Sequence, residues 1–459
     1  MVLHLIAKVQ AHASAVRQLK FVSGLPRLLS KGIDDVLLMD GHTGKQITKL
    51  YGFRPSIWAT PTDNRFFFRL DNEWTTSRQH AGTELFDTNE GDYLYTLDKS
   101  TEAFHRDRGL TFVGDSKLVS NHNDELHIWD WKANELLHEI IGLGGESVWK
   151  IPEQSHIITH RKRLEYIGTY VGSDAYSILS CWSIDDGKRL WHLEGGPTET
   201  PEPNISEINS SALSHDGSIL ILGCDIVGPR LVKWRTGEVL SVPDLDKRLY
   251  FSIRAVLSTS DGQHLIFRNT GIDPPSYWVM AMENWGHYHF EFHSPSVLGY
   301  TNYIWSETLI QQETALAITT YGASVHILSL TDGTELLATN INEPRDHTFW
   351  SQVIHNEEYQ LIVTHAGHIY LVSLKSGRQE AAIKLTQPVI ACALLHNEKQ
   401  LVIVGKTGCI SLFSVESRLV ESTLSPAKDV ELTSWAISTD ELTLAIGDKD
   451  GMVSLIGIE

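Results

Sequence analysis

One stretch, running from Leu361 to Leu385, sets the terms for the whole chain. It reads as three short strands, Leu361–Val363, Ile369–Leu374 and Ala381–Leu385, each an apolar or β-branched run of strand length. Gly367 sits in the first turn and Ser376-Gly377 in the second, where glycine supplies the positive φ of a tight hairpin with a bulge. Upstream, Trp350–Ile354 predicts a fourth strand, turned by His355-Asn-Glu-Glu358. Four antiparallel strands in about 40 residues make one blade-sized unit.

The unit recurs. Leu395-His-Asn-Glu-Lys399 repeats the His-Asn-Glu turn, and Leu316–Gly322 with Val325–Gly333 fills the same template. Third-to-fourth-strand turns are marked by Gly44, Gly91, Asn134, Gly187, Gly237, Gly286, Gly333, Gly377 and Ser417, stepping by 47, 43, 53, 50, 49, 47, 44 and 40 residues. A period of roughly 40–50 residues with four strands per period implies an all-β chain, a β-propeller of four-stranded antiparallel blades. Nine such turns plus an incomplete last unit predict about ten blade repeats. Two stretches lengthen the period, Arg161–Ser173 and Gly195–Asn204, and both read as surface loops.

The two ends fit each other. Trp435–Ser438 and Leu442–Ile458 supply three strands of a last blade, and residues 1–10 supply a spare one. Residues 1–10 are therefore expected to complete the blade at 432–459, closing one domain over 1–459 and pairing the edge that the last blade would otherwise expose. The alternative is a partial array over 1–145 followed by a closed seven-blade ring over 146–459.

Charge narrows the partners. There are 38 basic and 57 acidic side chains, a net charge of −19, which argues against a phosphate-backbone binder. The first residues read as neither signal peptide nor membrane helix. Cys181, Cys224, Cys392 and Cys409 lack metal-ligand spacing and read as buried reduced thiols. The expectation is a cytoplasmic protein with no nucleic-acid or membrane partner and no cofactor.

Residues 11–40 resemble a WD-repeat blade. In that family a Gly-His pair, a Ser or Thr, an Asp and a Trp-Asp pair follow in order. Here Ala11-His12, Ser30, Asp34 and Met39-Asp40 lie at or within a residue of those places, without the tryptophan. Ser120, Asp124 and Ile128-Trp129-Asp130 form a second copy that lacks a correctly spaced histidine. The resemblance implies structural hydrogen-bond networks through His12, Ser30 and Asp34 and through Ser120, Asp124 and Trp129. Ser214-His-Asp-Gly217, Thr259-Ser-Asp-Gly262 and Ser438-Thr-Asp-Glu441 are similar to the family's blade turn. Tandem arrays of this kind resemble the C-terminal regions of NACHT-and-WD-repeat regulatory proteins, although no Gly-x-x-x-x-Gly-Lys-Ser/Thr nucleotide loop occurs. Cys181-Trp-Ser-Ile-Asp-Asp-Gly-Lys-Arg-Leu-Trp191 is similar to the tryptophan-docking motif of quinoprotein dehydrogenase propellers. That likeness implies a channel-site enzyme as the rival function. The adjacent-cysteine pair of those enzymes is missing.

Candidate interaction residues are Trp58, Trp149, Trp305, Trp350 and Trp435, near the starts of innermost strands. They read as inter-blade packing or as an aromatic channel mouth that anchors a partner. His287, His289, Glu291 and His293 share one face of a strand, a set able to bind zinc. The same alternation describes a half-exposed outer strand, and no metal is expected. His160-Arg-Lys-Arg163 reads as a solvated loop. No catalytic motif or paired-carboxylate constellation stands out. The reading is a non-catalytic protein–protein interaction scaffold, and the family resemblance implies the sensing or autoinhibitory part of a larger regulator.

Overall fold

The computed structural model describes residues 2–51, 56–59, 65–69, 83–96, 110–122, 125–141, 147–151, 155–166, 173–195, 208–214, 216–224, 228–240, 253–269, 276–281, 287–291, 304–339, 341, 346–395, 398–426 and 430–459. Among them lie ten four-stranded antiparallel sheets, the blades of an all-β propeller. Blades 1 to 9 comprise residues 18–51, 56–96, 110–141, 147–194, 208–240, 253–291, 304–339, 348–384 and 389–424. Blade 10 takes three strands from residues 432–458 and its outermost strand from Leu3–Gln10.

Burial follows position across a blade. The two middle strands of blade 9, Gln400–Gly405 and Ile410–Ser414, are buried throughout, because a neighbouring blade covers each face. Such strands read as continuous apolar runs instead of alternating ones. The outer strand Leu419–Leu424 alternates between exposed and half-buried residues. Innermost strands such as Ile304–Ile310 are mostly half-buried.

Ten apolar clusters mark ten seams. One joins blade 1 to blade 2 through Leu29, Val36, Leu38 and Phe86. Another joins blades 3 and 4 through Val119, Ile128, Ile157 and Trp182, across residue 145. A third packs Val16, Leu19, Leu37 and Met39 of the first blade on Ala445, Val453 and Leu455 of the last. The remaining seven clusters link the other consecutive blades. Each blade therefore rests on both neighbours, and blade 10 rests on blade 1.

Closure is made of backbone. Leu3–Gln10 pairs antiparallel with Met452–Ile458, from Leu3 opposite Ile458 to Gln10 opposite Met452. Gly451 then takes both the Ala11 and His12 N–H groups on its carbonyl, at 3.0 and 3.1 Å. Its φ is +83°, and a Cβ there would lie 2.2 Å from the His12 carbonyl oxygen, so only glycine fits.

Polar contacts repeat along the seams. A glutamate in the first turn of a blade accepts a backbone N–H from the first turn of the preceding blade. Glu313 takes Ser260, Glu357 takes Gln311, and Glu398 takes His355, the last at 2.9 Å. The His-Asn-Glu repeat seen in the sequence is thus an inter-blade tie. Trp191 fills the role that its motif implies. It is buried against Gly237 of blade 5, and its indole N–H donates to the Trp234 carbonyl.

One expectation is corrected. Arg161–Ser173 is not wholly loop, because strands His156–Tyr166 and Ser173–Ser183 pair down to Tyr166 opposite Ser173. The basic run His160–Arg163 therefore lies on a strand, with His160 buried and bonded to Ser177 Oγ at 3.0 Å. Pairing continues past the usual blade edge because the two segments keep eleven partners in register.

Removing residues 1–10 strips blade 10 of its outer strand and exposes the edge of Met452–Ile458. The truncated protein is expected to melt several degrees lower in a thermal scan and to aggregate in light scattering. An unchanged melt would contradict the pairing's contribution.

Candidate protein-interaction face

Turns in an antiparallel blade alternate between its two ends. The second turns and the starts of the innermost strands share one face of the ring, here the entry face. The first and third turns lie on the exit face.

On the entry face, side chains latch the inter-blade connection to the following second turn in blades 1, 8 and 9. In blade 1, His12 Nε2 meets Ser30 Oγ at 2.7 Å and His12 Nδ1 meets Asp35. Lys49 Nζ lies 2.8 Å from the Asp35 carboxylate. The sequence reading placed the acid at Asp34, which is exposed; the carboxylate in the network belongs to Asp35. Gly32 decides this. Its N–H closes a tight turn on the Asp35 carbonyl, and a Cβ there would collide with both Asp35 and His12.

Blade 8 performs the same task with acid and base exchanged. Asp346 accepts from Thr364 Oγ1, from the Ala366 N–H at 2.9 Å and from His368 Nδ1 at 2.7 Å. Blade 9 uses an amide: Gln387 Oε1 accepts the Thr407 N–H at 2.9 Å and Gln387 Nε2 donates to the Cys409 carbonyl. In blade 3, Asp124 and the Ser120 side chain lie outside the described residues. Trp129 is buried in the seam with blade 2, beside Leu85, Leu118 and Trp131.

The structure divides the five tryptophans. Trp149 is half-buried against the blade 4–5 core, with its ring 5.2 Å from His160. Trp350 packs against the blade 8–9 core and Trp435 against the blade 9–10 core. The Trp58 side chain lies outside the described residues. Trp305 is 42 % exposed.

A β-bulge separates them. The innermost strand of blade 7 slips register between Ile304 and Ser306, and that of blade 8 slips between Thr348 and Trp350. The extra, unpaired residues are Trp305 and Phe349. Trp350 and Trp435 lie within the regular ladder, opposite Val363 and Ile446. The structural equivalent of Trp305 is therefore Phe349, which a search for tryptophan misses.

Around these two bulges an aromatic row crosses the blade 7–8 seam. Trp305 lies 6.2 Å from Tyr321, which stacks on His347 at 4.2 Å and 22°. Phe349 meets His365 edge-on at 4.9 Å. Tyr321 and His365 occupy the second turns of blades 7 and 8, and His347 lies in the connection between them. Backbone bonds hold the row. The Thr348 N–H donates to Tyr321 at 2.9 Å, and the His365 N–H donates to His347 at 2.8 Å.

No group of three or more His, Cys, Asp or Glu side chains among the described residues is placed to hold a metal ion. The side chains of His287, His289 and Glu291, and all of His293, lie outside the described residues. Cys181, Cys224 and Cys392 are buried and form no disulfide, and burial pushes the Cys181 thiol up to about 12.

No protein-family model matches the chain, and no curated protein sequence matches it. Solved structures match at the level of fold. A crystal structure described as the eukaryotic initiation factor has a TM-score of 0.51 at 10 % identity, over 82 % of this chain and 89 % of that one. The computationally designed Ika8 protein gives 0.43 at 12 % identity over 99 % of both chains. The C-terminal WD40 domain of Sif2 gives 0.41 at 12 % identity, over 75 % of this chain and 93 % of that domain.

Two buried histidines carry a pH dependence: His12 of the blade 1 latch, and His326 of blade 7, whose Nε2 meets Ser324 Oγ at 2.9 Å and whose Nδ1 meets Glu335 at 2.7 Å. Burial holds His12 below its ordinary value of 6.5, partly offset by Asp35, and holds His326 below it, partly offset by Glu335. The unfolded chain binds protons at these sites before the native one does. Their contribution is therefore complete above pH 6.5 and declines as pH falls below it. Melting temperature is expected to drop as pH is lowered from about 7.5 to about 5. His326→Gln should shrink that drop, and a flat wild-type profile would contradict the assignment.

Proposed function

We propose that this WD-repeat-like β-propeller is a protein–protein interaction scaffold, built as one closed ten-blade domain over residues 1–459. The observation that supports this most is the aromatic row of Trp305, Tyr321, His347, Phe349 and His365. Large rigid rings order few torsions on binding, and aromatic anchors dominate interface hot spots. Backbone bonds across the seam preorganise the row, which lowers the cost of ordering it around a partner.

The role is non-catalytic. The buried polar groups of blades 1, 8 and 9 are spent on latching turns, and the network of His12, Ser30 and Asp35 is buried within the ring. Reduced buried cysteines suit a cytoplasmic setting. Within a larger assembly, such a face serves as a sensing or autoinhibitory surface.

Quantitative affinity purification with mass spectrometry tests this. Trp305→Ala combined with Tyr321→Ala is expected to deplete a defined set of partners. Leu190→Ala, at an exposed outer-strand residue of blade 4, should leave that set intact. Equal recovery by all three proteins would overturn the assignment of the row.

A further inference from the structure

The blade 7–8 seam also opens on the exit face, away from the aromatic row. A groove of about 480 Å³ lies there, within the roughly 300–1,000 Å³ typical of ligand clefts. Its floor is apolar: Ile327 and Leu374 are buried, and Leu337 and Tyr359 are half-buried. Leu336 stands at its edge with 54 % of its surface exposed. Glu357 and Glu358 line it together with one cation, Lys375.

The two carboxylates have different work. Glu357 Oε2 accepts the Gln311 N–H, which ties blade 7 to blade 8 beneath the groove. Glu358 is fixed through its backbone, where its carbonyl takes the Leu374 N–H at 2.9 Å, and its side chain is exposed. The groove thus combines an apolar floor with a rim of net negative charge, on a chain of net charge −19. That potential draws cationic segments in and turns acidic ones away.

We propose that this groove docks a short extended peptide that places a leucine-sized side chain on the floor and a lysine or arginine beside Glu358. Alternation along an extended chain suits this geometry, because successive side chains point to opposite sides. One wall belongs to Glu335–Thr339, the outermost strand of blade 7, whose free edge offers unpaired backbone groups to an added strand. The proposal does not depend on the aromatic row, since the two sites occupy opposite faces.

Fluorescence anisotropy with the full chain tests it. The probe is a fluorescein-labelled peptide, Gly-Ser-Leu-Lys-Leu-Arg-Ser-Gly. Controls replace its basic residues with glutamate, or its leucines with serine. The wild type is expected to bind the probe and neither control. Leu336→Asp and Glu358→Lys should each weaken binding about tenfold or more, because the first sets a charge beside the leucine anchor and the second sets like charge against the peptide's cation. Lys375→Glu should tighten it, because it removes the one cation lining the groove. Leu190→Asp, on blade 4, should change nothing. Leu336 and Glu358 are exposed, and matching melting temperatures for wild type and variants exclude misfolding. Three anisotropy results would overturn the proposal: no binding by the wild type, equal binding of the serine control, or unchanged affinity in both the Leu336 and Glu358 variants. Sedimentation of the unliganded protein covers a further occupant, and self-association abolished by Leu336→Asp would assign the groove to a second copy and overturn the peptide.

Discussion

A blade of this protein has two apolar faces and no means of covering either by itself. Everything else in the structure follows from that constraint. The middle strands are buried from end to end, as in Gln400–Gly405, because a neighbouring blade lies on each side. The first and last blades would each keep a bare face if the array stayed open. Val16, Leu19 and Met39 meet Ala445, Val453 and Leu455 instead, and Leu3–Gln10 supplies the strand that the final blade lacks. Polar contacts then set register on this apolar base. Glu313, Glu357 and Glu398 fix the first turns of successive blades, and the latches fix the second turns.

Much of this was legible in the sequence, for a physical reason. Hairpin turns need positive φ, so glycines such as Gly44, Gly187 and Gly377 punctuate the chain at the blade period. Counting those turns, with Asn134 and Ser417 in the place of glycine, and adding the incomplete last unit gives the ten blades, and the spare strand at the start was readable against the shortfall at the end. Side-chain networks were less legible, because several chemistries perform one task. The latch is histidine in blade 1, aspartate in blade 8 and glutamine in blade 9, and a motif tuned to histidine finds only the first. The shift from Asp34 to Asp35 depends on the tight turn at Gly32, a detail of backbone path.

The aromatic face was legible only in part. Tryptophan was a fair marker of large apolar side chains, but it does not show which residue a bulge takes up: the bulged Phe349 is half-buried against the blade 8–9 core, and the bulged Trp305 stands out. Trp350 follows its bulge and packs into a seam, whereas Trp305 is the bulged residue and remains exposed. No pattern of residue types announces that one-residue slip. The groove on the exit face was invisible for a related reason. Ile327, Leu336, Glu358 and Lys375 come from two blades, and only the ring brings them together.

Closure is the central claim, and a disulfide tests it most directly. Gln10 and Met452 are partners across the closing pair of strands. Directly opposed residues on antiparallel strands lie about 4.5–5.5 Å apart, within reach of a disulfide. The double variant Gln10→Cys, Met452→Cys, oxidised as a dilute monomer, is predicted to form an intramolecular bond that links the two ends of the chain. The product should migrate as a compact species on a non-reducing gel and revert on reduction. A pair that stays reduced, or links only between molecules, would contradict the closed ring.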